Sequence, residues 1–344
     1  MVLMAKKKHI ATRVLLFRNK LLIMRKIALL VIGFVMGCAV STAQEVECKT
    51  FHYATNDGVE LYLDRHAVDM TTEKPRPCMI FVFGGGFVRG ERNHEYYHRY
   101  FEHLAKEGIV VATIDYRLGL KDLGKKSGEK LGIRGMIDAM TNAVNIASED
   151  IYSATLFVLD NAEEWGVDPE MIMLSGSSAG AIASLQAEYM RCNDHKLAKV
   201  LPKGFRYAAV ISCAGAIYSA DGKPKFKSAP APILLFHGSS DSNVPYNRAS
   251  VFGVGFYGSK YIAKQLDKLR SPYMFYSAEY IDHSMAGIPL IYQCDLIVQF
   301  IEDYVKEGRK QRTVVDASLW DGEKRPTRFT ARDYLKTNYA GKAK

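Results

Sequence analysis

Short apolar runs, almost without polar interruption, recur along the chain, and each ends in glycine or a polar turn before a helical pattern begins. The clearest is "CMIFVFGGG" at 78–86. A strand with no polar residue has both faces buried, as in a parallel sheet covered on both sides. The stretches "IVVATIDYR" (109–117), "MIMLSG" (171–176), "YAAVISCAG" (207–215), "PILLFHG" (232–238) and "YMFYSAEY" (273–280) read as further strands. Helical patterns separate them near 95–106, 132–165 (two helices), 179–190, 258–270 and 289–307. "VELYLDRH" at 59–66 alternates in character, as a half-buried antiparallel strand does. The alternation predicts an α/β fold with one open, mostly parallel sheet and helices on both faces.

The net charge of +9 invites a nucleic-acid or membrane reading, but its placement argues otherwise. Eight basic residues and no acid fall within residues 1–26, and 27–43 carry no charge, so only +1 is left on the remaining chain. A phosphate-tracking surface is not expected. Residues 1–23 read as a spurious or unstructured upstream extension, with Met24 as the true start. Met24-Arg25-Lys26, the apolar run 27–40 and "STAQ" at 41–44 form a secretory signal over 24–43, cleaved after Ala43. Export to the periplasm or medium is expected, and a lipid anchor on Cys38 is the alternative. The five cysteines beyond that point show neither a metal-ligand spacing nor a disulfide framework. Cys78 and Cys213 lie in apolar runs and are expected to be buried. The main domain is placed at 44–307, and 308–344 reads as a polar C-terminal extension packed loosely on the surface.

Chemistry enters at "LSGSSAGAIA" (174–183). Gly176-Ser177-Ser178-Ala179-Gly180 puts Ser178 at the centre of G-x-S-x-G, between a strand end and a helix start. A serine projecting from that junction needs a strained turn, and the flanking glycines leave room for it. The helix N-terminus behind it favours developing negative charge. Ser175 and Ser177 lack such a glycine pair. A serine nucleophile needs a base and an orienting acid. Asp241, in "HGSSDSNVPY" (237–246), follows a strand end, where open α/β sheets place their sites. His283, in "IDHSMAG" (281–287), follows the next strand. Asp282 stays open as an alternative acid, and His237 is expected to bond its own turn. Gly84-Gly85-Gly86 end an earlier strand, and glycine lets backbone approach a ligand closely. The N–H groups of Gly85, Gly86 and Ala179 are the candidate oxyanion donors.

The segments "FVFGGGF", "TIDYRL" (113–118), "WGVDPEMIMLSGSSAGA" (165–181) and "HGSSDSNVP" (237–245) resemble the α/β-hydrolase superfamily over roughly 50–305. The nearest groups are carboxylesterases and hormone-sensitive-lipase-like esterases, including bacterial feruloyl and acetyl-xylan esterases. The resemblance implies an eight-stranded sheet, a Ser178–Asp241–His283 triad, the oxyanion donors just named, and serine-dependent ester hydrolysis with no metal or cofactor. Phe83 departs from the pattern, standing where the lipase-like branch has histidine. The Asp241 surroundings resemble prolyl-peptidase-like hydrolases instead. A serine exopeptidase and a non-catalytic binding protein on a hydrolase scaffold are the rival readings. The connections at 215–230 and 118–133 are short and polar, with no long amphipathic helix. An open cleft is therefore expected, taking short or aromatic acyl groups on bulky alcohols such as sugars, without a nucleic-acid partner.

Overall fold

The computed structural model describes residues 45–69, 74–122, 132–318 and 323–339. In chain order the elements are β1 (Val46–Asn56), β2 (Val59–Val68), β3 (Arg76–Val82), α1 (His98–Lys106), β4 (Val110–Ile114), α2 (Ile133–Asp160), α3 (Ala162–Trp165), β5 (Val167–Ser177), α4 (Ala179–Cys192), β6 (Ala209–Cys213), β7 (Ala216–Ser219), β8 (Ile233–Gly238), β9 (Arg248–Val251), β10 (Val254–Gly258), α5 (Ser259–Leu269), β11 (Tyr273–Ala278), α6 (Ile288–Tyr292), α7 (Cys294–Phe300), β12 (Arg312–Ala317) and α8 (Ala331–Tyr339). The expected signal segment and Cys38 lie outside the described residues. Among those described, no helix is long and apolar enough to cross a membrane.

Nine strands form one sheet in the order β1-β2-β4-β3-β5-β6-β8-β11-β12. The pairs β1/β2 and β2/β4 are antiparallel, and every other neighbour is parallel. The residues at 59–66 thus form the antiparallel strand their alternation suggested. The expected count of eight strands is corrected to nine. The ninth, β12, comes from the extension that sequence reading placed loosely on the surface, and it pairs with β11 from Tyr273↔Arg312 to Ala278↔Ala317. Its residues alternate between exposed and half-buried. An edge strand of this kind keeps charged side chains toward water, so its sequence reads as polar extension.

Central strands β3, β4 and β6 are buried almost throughout, as their unbroken apolar composition requires. Helix α4 is buried nearly all round because its small Gly, Ala and Ser side chains let neighbours approach from every side. Its polar members find partners, as buried polar groups must. Ser184 Oγ donates to the Gly180 carbonyl at 2.8 Å, and Glu188 accepts from Arg191 at 2.7 Å and from the Ala231 amide at 2.7 Å. The two helices expected within 132–165 are unequal: α2 runs unbroken until Asn161, whose side chain donates to the Phe157 carbonyl at 2.7 Å. The single helix expected near 289–307 is divided at Gln293. Five described cysteines are free thiols, with Cys78 and Cys213 fully buried.

Two arginines fasten the loops after β3 and β4. Arg92 bridges Asp64 (2.9 Å) and Asp115 (2.7 Å), which ties the long loop after β3 to β2 and to the end of β4. Arg117 donates its backbone N–H (2.7 Å) and Nε (2.9 Å) to the fully buried Asp150 of α2, and also meets Asp57 and Glu149. Asn56 donates to the same carboxylate at 2.7 Å. Removing one partner of a buried ion pair strands the other charge, at a cost of about 3–5 kcal/mol. Asp150→Ala leaves Arg117 the more exposed Asp57 and Glu149 and the Ile146 carbonyl at 3.3 Å. The expected loss of stability is about 3 kcal/mol, read from guanidinium unfolding; a midpoint equal to wild type would show that this pairing holds nothing together.

Candidate active site

Ser178 stands between β5 and α4 with φ 51° and ψ −116°. A non-glycine residue there is strained, at a cost on the order of 1–3 kcal/mol, and persists only where its surroundings leave no alternative. Those surroundings are two glycines. A Cβ on Gly176 would come within 2.4 Å of Gly180 backbone, and one on Gly180 within 2.0 Å of the Val82 carbonyl. The Ser178 amide donates to the Cys213 carbonyl at 2.9 Å, and its own carbonyl accepts from Ile182 at 2.9 Å. The turn is clamped between β3 and β6, and the side chain projects from it.

The three neighbouring serines are separated by their partners. Ser175 Oγ meets Tyr100 Oη at 3.0 Å in the core. Ser177 Oγ donates to the Ala286 carbonyl at 2.9 Å, holding the turn that carries His283. Ser178 Oγ lies 2.8 Å from His283 Nε2. On the other side of the ring, His283 Nδ1 lies 2.7 Å from Asp241 Oδ2. A carboxylate only accepts, so Nδ1 carries the proton and Nε2 presents its lone pair to the serine hydroxyl. The structure therefore brings Ser178, His283 and Asp241 together in one line of hydrogen bonds.

Asp241 is fully buried and satisfied on every side. Its Oδ1 accepts from the amides of Asn243 (2.8 Å) and Val244 (2.9 Å), and its Oδ2 also faces His237 Nε2 at 3.3 Å. His237, likewise fully buried, is 2.8 Å from Ser259 Oγ through Nδ1 and 3.2 Å from the Val244 carbonyl through Nε2. With acceptors at Nε2, that nitrogen carries the proton and Nδ1 accepts from Ser259. Sequence reading gave His237 a turn-bonding part, which it has; its place beside Asp241 was missed. Burial alone would raise the Asp241 carboxyl, but the hydrogen bonds from His237 and His283 override it and hold the group well below the usual carboxylate range. Asp282, the alternative acid, is exposed and accepts from the Ser284 amide at 2.9 Å, capping the short turn on which His283 sits.

Strand β3 lies directly beside β5, with Val82 opposite Gly176, so the glycine loop flanks the serine. A Cβ on Gly84 would come within 3.3 Å of Ser178 Cβ. Gly85 and Gly86 have φ of 126° and 67°, open to glycine and strained for other residues. Among the described residues, the N–H groups of Gly85, Gly86 and Ala179 donate to no protein acceptor, whereas Gly84 N–H is 3.3 Å from Tyr97 Oη. Phe83, at the position of the departure noted above, is buried against Tyr116 with ring centroids 4.5 Å apart. Within the connection at 215–230, β7 forms a strand paired with β10 and no long helix is present; most of the other connection, 123–131, lies outside the described residues.

Comparison with known proteins bears on the fold and the family resemblance. The model of the Carboxylesterase family matches residues 55–191. Esterase B1 of Culex pipiens is 32% identical over 126 residues, which are 37% of this chain and 21% of that protein. Fumonisin B1 esterase of Sphingopyxis macrogoltabida is 33% identical over 129 residues, 36% of this chain and 22% of that protein. The matched segment thus spans about a fifth of these curated relatives. Among solved structures, esterase 2 of Thermogutta terrifontis aligns with a TM-score of 0.54 at 24% identity, covering 74% of this chain and 94% of that one. With the strand order described above, this places the chain among the α/β-hydrolases by fold.

The hydrogen bonds of Asp241 predict how stability varies with pH. A carboxyl whose folded pKa is depressed contributes stability that is present above its unfolded value of ~3.9 and lost as pH falls through the folded one. Asp241→Asn should be less stable than wild type at pH ~7, with the gap narrowing once pH drops below about 4. Urea unfolding at several pH values tests this; a gap that stays constant with pH would show that the carboxylate charge is not what the surrounding donors hold.

Proposed function

We propose that this α/β-hydrolase, whose residues 55–191 match the Carboxylesterase family, hydrolyses carboxylic esters through an acyl-enzyme on Ser178. The observation that carries the reading is the line of hydrogen bonds from Ser178 through His283 to the buried Asp241. His283 Nε2 takes the proton from Ser178 as Oγ attacks the ester carbonyl. Asp241 stays ionised, keeps the ring in its Nδ1–H tautomer and stabilises the imidazolium. The carbonyl oxygen, now an oxyanion, is received by the N–H groups of Gly85, Gly86 and Ala179. His283 then gives its proton to the leaving alcohol, and water repeats the cycle on the acyl-enzyme.

The surroundings of Gly86 are consistent with a preference for short or aromatic acyl groups. A Cβ added there would meet nothing within 4 Å, so the glycine borders open space. The connection at 215–230 supplies a strand and polar loop instead of an apolar helix. This supports a cleft for short or aromatic acyl groups on bulky alcohols, carbohydrate esters included, and export of the protein would bring it to such polymers.

Three measurements test the reading. A fluorophosphonate probe should label wild type and not Ser178→Ala, whereas Ser177→Ala, which loses one bond to Ala286, should keep substantial activity. Asp241→Asn should lower kcat by about 10⁴, while Asp282→Asn should be mild; equal labelling of Ser178→Ala would sink the assignment. Across acetyl, butyryl, octanoyl and palmitoyl p-nitrophenyl esters, kcat/KM should peak at the short end. A maximum at palmitoyl, or a rate jump above the substrate's micelle concentration, would overturn the open cleft.

A further inference from the structure

The C-terminal segment returns to the site after β12. Arg325 stands between two loops: its guanidinium donates to the Tyr280 carbonyl at 3.1 Å, and its own carbonyl accepts from Ser240 Oγ at 3.4 Å. Nine residues later, in α8, Tyr334 Oη donates to the carbonyl of Asp241 itself at 3.2 Å. Asn338, one turn further on, donates to the Asn243 carbonyl at 2.9 Å. Burial pushes the Tyr334 hydroxyl up, so it remains a donor throughout the working range of pH. All four contacts fall on the two loops that carry Asp241 and His283.

These loops are already interlocked. The Ser240 amide donates to the Ile281 carbonyl at 2.9 Å, and the Tyr280 amide donates to Ser239 Oγ at 2.8 Å. A Cβ on Gly238 would lie 2.1 Å from the Ile281 carbonyl, so the loops touch backbone to backbone. Ser177, at the end of β5, bonds the Ala286 carbonyl, and Tyr96, from the loop after β3, fills the space beside Gly287 with its Oη. The returning chain, within the described residues, bonds both loops as well.

We infer that residues 323–339 form a strap that sets the orientation of the acid and base, with Arg325 and Tyr334 as positioning residues acting through the Asp241 and His283 loops. The inference rests on the ester-hydrolase reading for its kinetic consequence, but its geometric content concerns only the Asp241–His283 contact. Tyr334 and Asn338 grip the carbonyls on either side of Ser242, within the same turn whose amides at Asn243 and Val244 hold the Asp241 carboxylate. Releasing them lets that amide cradle turn. Arg325 does the same for the spacing between the two loops. The titratable and charged groups about the His283 loop are Asp241, His237 beyond it, Asp282 on the same turn, Tyr334 against the Asp241 carbonyl, and Arg325, whose charge acts on Asp282 and which also pairs with Glu323 at 3.4 Å.

The test uses the full chain carrying Arg325→Ala, Tyr334→Phe, the two together, and Arg325→Lys. Active sites are counted by fluorophosphonate titration, and kcat per site, KM and the acidic limb of kcat/KM are measured. The Nδ1–H proton of His283 is followed by NMR. Misplacement of a reacting group by about 1 Å costs on the order of 100-fold, so the double variant should lose roughly tenfold or more in kcat per site. KM should stay within about twofold, since substrate contacts are untouched. The acidic limb should move to lower pH, because a loosened Asp241 stabilises the imidazolium less. The His283 Nδ1–H proton should exchange faster. Tyr334→Phe should shift the limb in the same direction, which decides the matter should the double variant fail to fold, and Arg325→Lys should retain most of the activity that Arg325→Ala loses. Fewer sites with unchanged kcat per site, unchanged limb and unchanged His283 proton would overturn the strap. A wild-type chain that neither labels nor hydrolyses esters would overturn the ester-hydrolase reading instead; the strap is then decided by the His283 proton alone, which reports the Asp241 contact without turnover.

Discussion

The contact of Gly180 with the end of β3 is the constraint on which the site depends. A Cβ there would sit 2.0 Å from the Val82 carbonyl, so helix α4 can start where it does only on a residue without one. Because α4 starts there, the chain between it and β5 has no length to spare, and Ser178 takes a backbone conformation that an L-residue rarely adopts. The same closeness puts the glycine loop after β3 against the serine. Strain at one residue and free amides beside it are thus two results of one backbone approach.

Burial of the Asp241 charge is the second organising term. An ionised carboxylate far from water is tolerated only when donors surround it. Here they come from two amides of its own turn and from two imidazoles, one of which is His283. Only one of those imidazoles reaches the serine. His237 is walled in by Ser259 and the Val244 carbonyl, and its contribution is to the charge and fixed position of the acid. The acid is therefore held by more bonds than orienting one ring demands, which is what rigidity at a buried charge requires.

The parallel sheet explains why these groups meet. β3, β5, β8 and β11 all point the same way, so the loops at their carboxyl ends share one edge. Glycine amides, serine, acid and histidine each arrive from a different strand. Their mutual positions are then a matter of how loops lock together, and here the locking includes main-chain bonds between the acid and histidine loops and side-chain bonds from the returning C-terminal segment.

Much of this is legible without coordinates, because it is written in local pattern. Unbroken apolar runs announce the parallel strands, and Gly-x-Ser-x-Gly between a strand and a helix singles out Ser178, since its requirement for room is met by neighbours two residues away. What the sequence alone left open concerns partners distant along the chain. Whether Asp241 or Asp282 faces His283 depends on how two loops 42 residues apart are packed, and the structure turns Asp282 to the cap and Asp241 to the ring. The edge strand β12 escaped because half-exposed residues carry charges that look like a loose tail, and β1 escaped because its face is mostly in water. Arg325, Tyr334 and His237 have no local signature, since each acts by a hydrogen bond to a group that only folding brings near. Sequence by itself determined the central strands, the nucleophile turn and the candidate triad groups, through short-range sterics and burial; tertiary structure decided the edge strands and which groups touch, because hydrogen bonds act over about 3 Å and the chain separates their partners by tens of residues.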